Sequence, residues 1–179
     1  MEIAGRRPGR GPPAPRGARL ASPLGPLVAI AEGDALAALD FTDAKYAHPP
    51  ETSWIEDPAW PVLRACAAQL AEYFAGERGR FDLPLAPRGT PFQKRVWAEI
   101  ARVPSGETIP YAELARRAGA PGSARAAGAA TGRNPLAIVV PCHRIVATGG
   151  ALTGYAGGLA RKEFLLALEG APLAARAAA

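Results

Sequence analysis

Two domains of opposite charge, an acidic α/β unit followed by a basic and mostly helical one, are what this sequence of 179 residues predicts. Three observations lead there. Residues 26–86 carry a net charge of −6 and residues 87–179 a net charge of +7. The first stretch alternates short apolar runs with one amphipathic helical pattern. The second reads as short helices punctuated by Gly and Pro. A chain of this length buries a real core, although its 41 alanines mean that an apolar content of 49% overstates the supply of large side chains.

Several classes are excluded at once. No run approaches the roughly 20 apolar residues needed to cross a bilayer, so no membrane partner is expected. Two Cys and two His leave too little material for a disulfide framework or a structural zinc site, so no metal is expected. The first twenty residues lack an apolar centre, so no secretory signal is expected and the protein is placed in a reducing cytoplasm. Arg outnumbers Lys by 18 to 3, which suits planar, bidentate contacts to phosphate. GC-rich codons account for Arg over Lys but not for the change of sign along the chain. A polyanion would be met by the second half.

Taken in order, residues 1–25 are rich in Arg, Pro and Gly without periodicity and are expected to be a disordered tail. Residues 26–86 form the first domain. Apolar runs at 27–31 and 35–41 flank Glu32-Gly33-Asp34 and read as a β-hairpin. A helix over about 58–75 carries Leu63, Cys66, Ala67, Leu70, Ala71 and Phe74 on one face, which makes Cys66 a small buried hydrophobe, and Gly76 closes it. Residues 87–172 form the second domain. Thr90-Pro91 reads as an N-cap with Pro at the first helical position. Phe92, Val96, Ile100 and Val103 line that helix, and Tyr111, Leu114, Ala115 and Ala118 line the next. Gly119, Pro121 and Gly122 break the chain before a helix over 123–133, and the pair suggests a helix-turn-helix. Residues 138–140 are expected to be a short buried strand and 161–168 a last helix, with 173–179 a flexible tail.

The helix over 123–133 has almost no long polar side chains apart from Arg125 and Arg133. Base-edge readout in a major groove is therefore not expected of it. Small residues let a helix backbone approach a narrow minor groove, where Arg125 could enter the base stack. An Ala-rich helix packed into a core explains the same composition equally well.

Residues 134–145 read NPLAIVVPCHRI. Cys142 follows an expected strand and Pro141, an element end at which reactive groups are commonly displayed. His143 and Arg144 follow it, and their charge would favour the thiolate of a thiol whose free pKa is about 8.5. On an extended segment the Cys142 and His143 side chains point to opposite faces, so a turn or a bridging water would be needed to link them. Alone, the dipeptide is better explained by chance or core packing.

Five blocks in order, TPFQKRVW, PSGETIPYAELA, SARAAGAATGRNP, VVPCHRI and TGYAGGLARKEFLLALEG, resemble the O6-alkylguanine-DNA alkyltransferases, in particular the bacterial methylated-DNA–protein-cysteine methyltransferases. The likeness covers about residues 86–172 densely and 26–85 more loosely. It implies a ribonuclease-H-like first domain with a small antiparallel sheet and helix, and a winged-helix, helix-turn-helix second domain. It implies direct-reversal repair of double-stranded DNA, in which an alkyl group passes irreversibly from guanine O6 to Cys142 after the nucleotide is flipped out, once per protein molecule. No cofactor would be needed, and the protein would be a monomer in the absence of DNA. By the same resemblance His143 is the base acting through a water, and Glu169 orients it. Arg125 is the finger that fills the vacated base position, with Ala126, Ala127 and Gly128 pressed into the minor groove. Tyr111 sits by the rotated phosphate and donates to guanine N3. Asn134 holds the hinge, and the carbonyls of Cys142 and Ile145 accept from the exocyclic amine. The loop with Tyr155, Ala156 and Gly157 closes the pocket, the Ala156 N–H donating to O6. Some relatives have Ser where Ala156 stands, but a backbone donor does not need that hydroxyl. Some carry zinc in the first domain, for which Cys66 and His48 supply too few ligands. O4-alkylthymine stays open as a further substrate. Two other classes remain as alternatives: a noncatalytic DNA-damage binder or winged-helix regulator of the same fold, and a thiol hydrolase that turns over.

Overall fold

The computed structural model describes residues 13–45 and 54–173. Four strands form the first sheet: β1 (Arg16–Leu20), β2 (Leu27–Glu32), β3 (Ala35–Phe41) and β4 (Ile55–Glu56), in the order β3-β2-β1-β4. The hairpin expected around Gly33 is β2 with β3, in antiparallel register Leu27↔Phe41 and Ala29↔Leu39. Two expectations are corrected. The segment 1–25 is not wholly disordered, because β1 lies within it and completes the edge of β2 from Arg16↔Ala31 to Leu20↔Leu27. Paired backbone bonds and the burial of Ala18 outweigh the polar composition that hid this strand. Residues 1–12 of that expected tail, His48, and residues 174–179 of the expected C-terminal tail lie outside the described residues. The sheet is mixed rather than purely antiparallel, since β4 runs parallel to β1.

Helix α1 (Pro61–Phe74) covers one face of the sheet and buries Val62, Leu63, Cys66, Leu70 and Tyr73. The buried stripe is rotated from the expected one: Tyr73 lies inside, Ala71 is exposed and Phe74 is only partly covered. The helix ends in a Schellman arrangement, with Gly76 at φ +77° and bonds from Gly76 N–H to Tyr73 O and from Glu77 N–H to Glu72 O.

In the second half, α2 (Pro91–Ala101) starts with a full capping box in which Thr90 and Gln93 exchange side-chain and backbone bonds. Then come β5 (Ile109–Pro110), α3 (Tyr111–Arg117) and α4 (Ala124–Thr131), with α2, α3 and α4 packed on one another. The Trp97 indole N–H donates to Ala130 O at 2.9 Å and locks α4 onto α2. β6 (Ile145–Val146) pairs in parallel with β5, and α5 (Leu159–Leu168) closes the chain. Small sheet domain and helical domain share one continuous core. They are stitched by backbone bonds from Leu39 N–H to Pro135 O and from Ala137 N–H to Leu39 O, both 2.8 Å. Among the described residues no helix is long and apolar enough to cross a membrane.

The expected strand at 138–140 is absent although all three residues are buried. Ile138 has φ +69°, and Val139 N–H bonds back to Ala137 O. This is a γ-turn in a conformation that a β-branched residue seldom adopts. Buried apolar side chains were legible here; the backbone path was not.

Candidate active site around Cys142

Asn134 shapes the segment that presents the sulfur. Its Nδ2 donates to Val140 O at 2.8 Å and Leu136 O at 3.3 Å, while its Oδ1 accepts from Leu136 N–H at 3.0 Å. These bonds replace a strand partner and fold residues 135–140 back on themselves. Cys142 N–H then bonds Val140 O at 2.8 Å across Pro141, and residues Cys142–Arg144 form one turn of 3₁₀ helix. Of the two geometries expected to link Cys142 and His143, a turn or a bridging water, the structure supplies the turn. A tight turn ending a buried segment carries the two side chains.

Cys142 is 7% exposed and lies in a cavity of about 260 Å³. Tyr111, Gly128 and Thr131 line it on the helical side, and Gly154, Tyr155 and Ala156 on the loop side, with Lys45 contributed by the first domain. A larger cleft of about 640 Å³ lies behind the same segment, lined by Phe81, Val103, Ile138 and Arg144, but the sulfur does not border it.

Behind the sulfur, the fully buried His143 sets its Nε2 2.8 Å from Glu169 Oε1. Arg144 donates to the same carboxylate from Nε at 2.9 Å and from Nη2 at 2.8 Å. The Tyr73 hydroxyl, from α1, adds a bond to Oε1 at 2.7 Å. Burial works to raise the Glu169 pKa, but the hydrogen bonds from His143, Arg144 and Tyr73 hold it down at about 2. Burial pushes His143 below its ordinary value despite Glu169, so the imidazole rests neutral. An ionised Glu169 accepts, so Nε2 carries the imidazole proton and Nδ1 keeps the lone pair. Nδ1 has no hydrogen-bond partner among the described residues. It is the one ring atom left to take a proton.

The charge expectation for the thiol is corrected. Burial pushes Cys142 up; the Asn134 side chain and the Lys162 ammonium pull it back, and Asp40 adds to the rise. The net effect is a protonated resting thiol. Arg144 does not face it, because its guanidinium is spent on Glu169 and on the carbonyls of Val103 and Gly79. Lys162 is the cation that serves. It is fully buried, it donates to Ile145 O at 2.6 Å and Thr153 O at 3.0 Å, and burial brings its pKa down to about 8.

The sequence-derived candidates divide accordingly. Cys142, Tyr111, Gly128, Tyr155 and Ala156 meet in the cavity, whereas His143 and Glu169 pair with each other without lining it. The Tyr111 hydroxyl donates to Thr153 O at 3.3 Å. Asn134, Ile145 and Gly157 do not line the cavity. The carbonyls of Cys142 and Ile145 already accept from Ile145 N–H and Lys162, which leaves each one further lone pair. On α4, Arg125 and Ala126 are exposed on the outer face, as is Ala129. Ala127 is fully buried, which corrects its expected place on the outer surface: it shares the inner face with Ala130 and Thr131, at helical spacing. The residues that sequence reasoning missed are Tyr73, Lys162, Lys45 and Thr131. Among the described residues no cluster of His, Cys, Asp and Glu could hold a metal ion.

Comparison with known proteins matches both halves of the chain. Residues 91–171 fit the family described as 6-O-methylguanine DNA methyltransferase, DNA binding domain, and residues 18–87 fit its ribonuclease-like domain. The methylated-DNA–protein-cysteine methyltransferase of Mycolicibacterium paratuberculosis is 49% identical over 148 residues, covering 83% of this chain and 88% of that protein. The protein of the same name from Methanosarcina acetivorans is 46% identical over 149 residues, covering 83% of this chain and 94% of that one. Among solved structures, Mycobacterium tuberculosis OGT in complex with DNA superposes with a TM-score of 0.81 at 46% identity, covering 86% of this chain and 92% of that one.

Proposed function

This chain belongs to the 6-O-methylguanine DNA methyltransferase family, and on that premise we propose how its cavity repairs DNA. The protein is a methylated-DNA–protein-cysteine methyltransferase that moves the alkyl group of an O6-alkylguanine in DNA onto Cys142. The observation that carries the assignment to this cavity is a sulfur in a recess of nucleobase scale, backed by a neutral imidazole whose tautomer is fixed by an ionised carboxylate.

The chemistry runs as a single displacement. His143 Nδ1 takes the Cys142 proton, through one water by the family resemblance, as the flipped guanine fills the cavity and displaces solvent. The thiolate attacks the alkyl carbon, a C–S bond forms, and the C–O6 bond breaks with its electron pair going to guanine. The imidazolium returns the proton to the ring system, which balances the step as thiol plus O6-alkylguanine giving thioether plus guanine. Tyr111 stabilises the leaving base from N3. A thioether offers water no acyl or phosphoryl centre, so the protein is consumed.

On the outer face of α4, Arg125 fills the vacated position while Ala126 and the Gly128 backbone permit close approach to the minor groove. Asn134 fixes the hinge between α4 and the Cys142 turn, and the loop of Tyr155, Ala156 and Gly157 closes over the base. The pairing of β5 with β6 beside α3 and α4 supports a winged-helix reading, and the β3-β2-β1-β4 sheet under α1 supports a ribonuclease-H-like one. A protein with this substrate works where DNA is kept, which favours the cytoplasm.

The test is incubation with duplex DNA containing O6-methylguanine. One methyl mass should appear on the peptide bearing Cys142 and the reaction should stop at one equivalent, with Cys142→Ala binding DNA but not reacting. Continued turnover would reveal a hydrolase, and binding without a mass change a sensor.

A further inference from the structure

We propose, resting on the alkyl-transfer reading, that Tyr73 of the first domain is a positioning residue for the reaction: its hydroxyl shares the Glu169 oxygen that meets His143, tempers the pull of that oxygen on the imidazolium and ties that domain to the proton relay. Tyr73 lies on α1, 96 residues from its partner, yet its hydroxyl bonds Glu169 Oε1 at 2.7 Å. That oxygen is the one that His143 Nε2 meets at 2.8 Å. The other donor to Oε1, Arg144 Nη2, comes from the same turn as His143, so it fixes Glu169 only from the Cys142 side. Tyr73 is the donor that reaches it from across the domain boundary. Its ring is 2% exposed and is held edge-on to Phe74, with centroids 5.4 Å apart, and against Phe81 at 5.5 Å, so the hydroxyl is aimed rather than free to swing.

A shared acceptor oxygen makes the hydroxyl more than a brace. Each donor on Oε1 draws charge from it and weakens its hold on an imidazolium. Burial and the nearby Glu169 charge keep the Tyr73 phenol protonated, so it stays a donor across the working pH range. The other groups that face the relay are Arg144 beside it and Lys162 from α5, while Tyr155 lies near Tyr73. Removing the Tyr73 donor leaves Oε1 a stronger partner for protonated His143. The His143 pKa then rises, and proton removal from Cys142 fails at higher pH than before.

Two probes on the intact protein separate this inference from the functional reading. Methyl transfer from duplex O6-methylguanine DNA tests the reading itself. The rate at which iodoacetamide alkylates Cys142, followed by peptide mass across pH, bypasses nucleotide flipping and tests Tyr73. Tyr73→Phe keeps the ring packing. It should move the acid limb of the alkylation profile up by about half to one pH unit, a threefold to tenfold loss on that limb. Replacing Tyr73 by 3-fluorotyrosine, a stronger donor of the same shape, should move the limb the opposite way; it supplies the test should Tyr73→Phe fail to fold. A wild-type protein that transfers methyl while both variants keep its acid limb overturns the role of Tyr73. A wild-type protein that transfers none overturns the functional reading instead.

Discussion

Replacing Asn134 by Ala should damage both stability and chemistry, by amounts that the hydrogen bonds around it define. The wild-type side chain makes three bonds, to Leu136 N–H, Leu136 O and Val140 O. The two carbonyls keep other partners, because Val140 N–H bonds Leu136 O and Cys142 N–H bonds Val140 O. Leu136 N–H has no such reserve and would be orphaned inside the core, costing about 1–3 kcal/mol. The two lost donor bonds add about 0.5–1.5 kcal/mol each. A total of about 2–6 kcal/mol follows, a large share of the roughly 5–15 kcal/mol that a domain of ordinary stability has. Loss of the Asn134 contact also leaves the Cys142 thiol pushed further up by burial, and each pKa unit is worth about a tenfold loss of thiolate. Urea unfolding of Asn134→Ala should show a lower midpoint at unchanged slope, and methyl transfer should slow by about tenfold or more. Asn134→Asp keeps the acceptor for Leu136 N–H but sets a carboxylate beside the thiol, so its transfer should be slower still. A stability within about 0.5 kcal/mol of wild type, together with transfer within about twofold, would refute the claim that Asn134 builds the Cys142 turn.

Three further expectations can be checked with the same protein. Arg125→Ala should slow repair of a duplex lesion far more than a single-stranded one while changing the salt slope of binding by less than about one, since an intercalating finger is not a phosphate ligand; equal rates on both substrates would remove that role. Glu169 has its folded pKa depressed from 4.5 to about 2, so its contribution is present above pH 4.5 and is lost as pH falls through that window toward 2; on the order of 3 kcal/mol of stability should go over that range, and Glu169→Gln should flatten this part of the acid unfolding curve. Native-state labelling with iodoacetamide at pH 7 should find Cys142 slower than an exposed peptide thiol and Cys66, pushed up to about 12 by burial, unlabelled, whereas a Cys142 that outpaces the free thiol would mean a standing thiolate.

Periodicity and capping chemistry made the hairpin, α1, α2 and the α3–α4 pair legible in the sequence, because each is settled by local pattern. What stayed hidden is settled between distant segments. β1 draws its stability from β2 and β4, and nothing in RGARL announces a strand. The path of residues 135–140 depends on one Asn side chain substituting for a β partner, so a buried apolar run gave the right burial and the wrong backbone. Tyr73 and Phe74 are both aromatic at adjacent positions, and a shift of one residue, 100° around the helix, decides which of them enters the core. Cys142, His143 and Glu169 were legible only through the resemblance, since 26 residues separate the imidazole from its carboxylate. Lys162 gave no signal at all: a lysine in a helix reads as a solvated surface residue unless a fold buries it.

A protein consumed by its first reaction gains nothing from a thiol that is always ionised. A standing thiolate would be spent on any electrophile or oxidant reaching the cavity. Burial holds the Cys142 proton in place at rest, while the groups that remove it in the mechanism we propose are already in place: a neutral His143, a Glu169 held ionised at about 2, and the Lys162 cation. When a base enters and expels solvent, the attraction between Lys162 and an incipient sulfur anion strengthens, as does that between Glu169 and an incipient imidazolium, because both act through a lower dielectric. Ionisation and substrate entry are therefore coupled by the same cavity. The Lys162 ammonium, held by the carbonyls of Ile145 and Thr153, joins the Cys142 turn to the loop over the cavity, so one buried charge both ties these two segments together and lies where it attracts a sulfur anion.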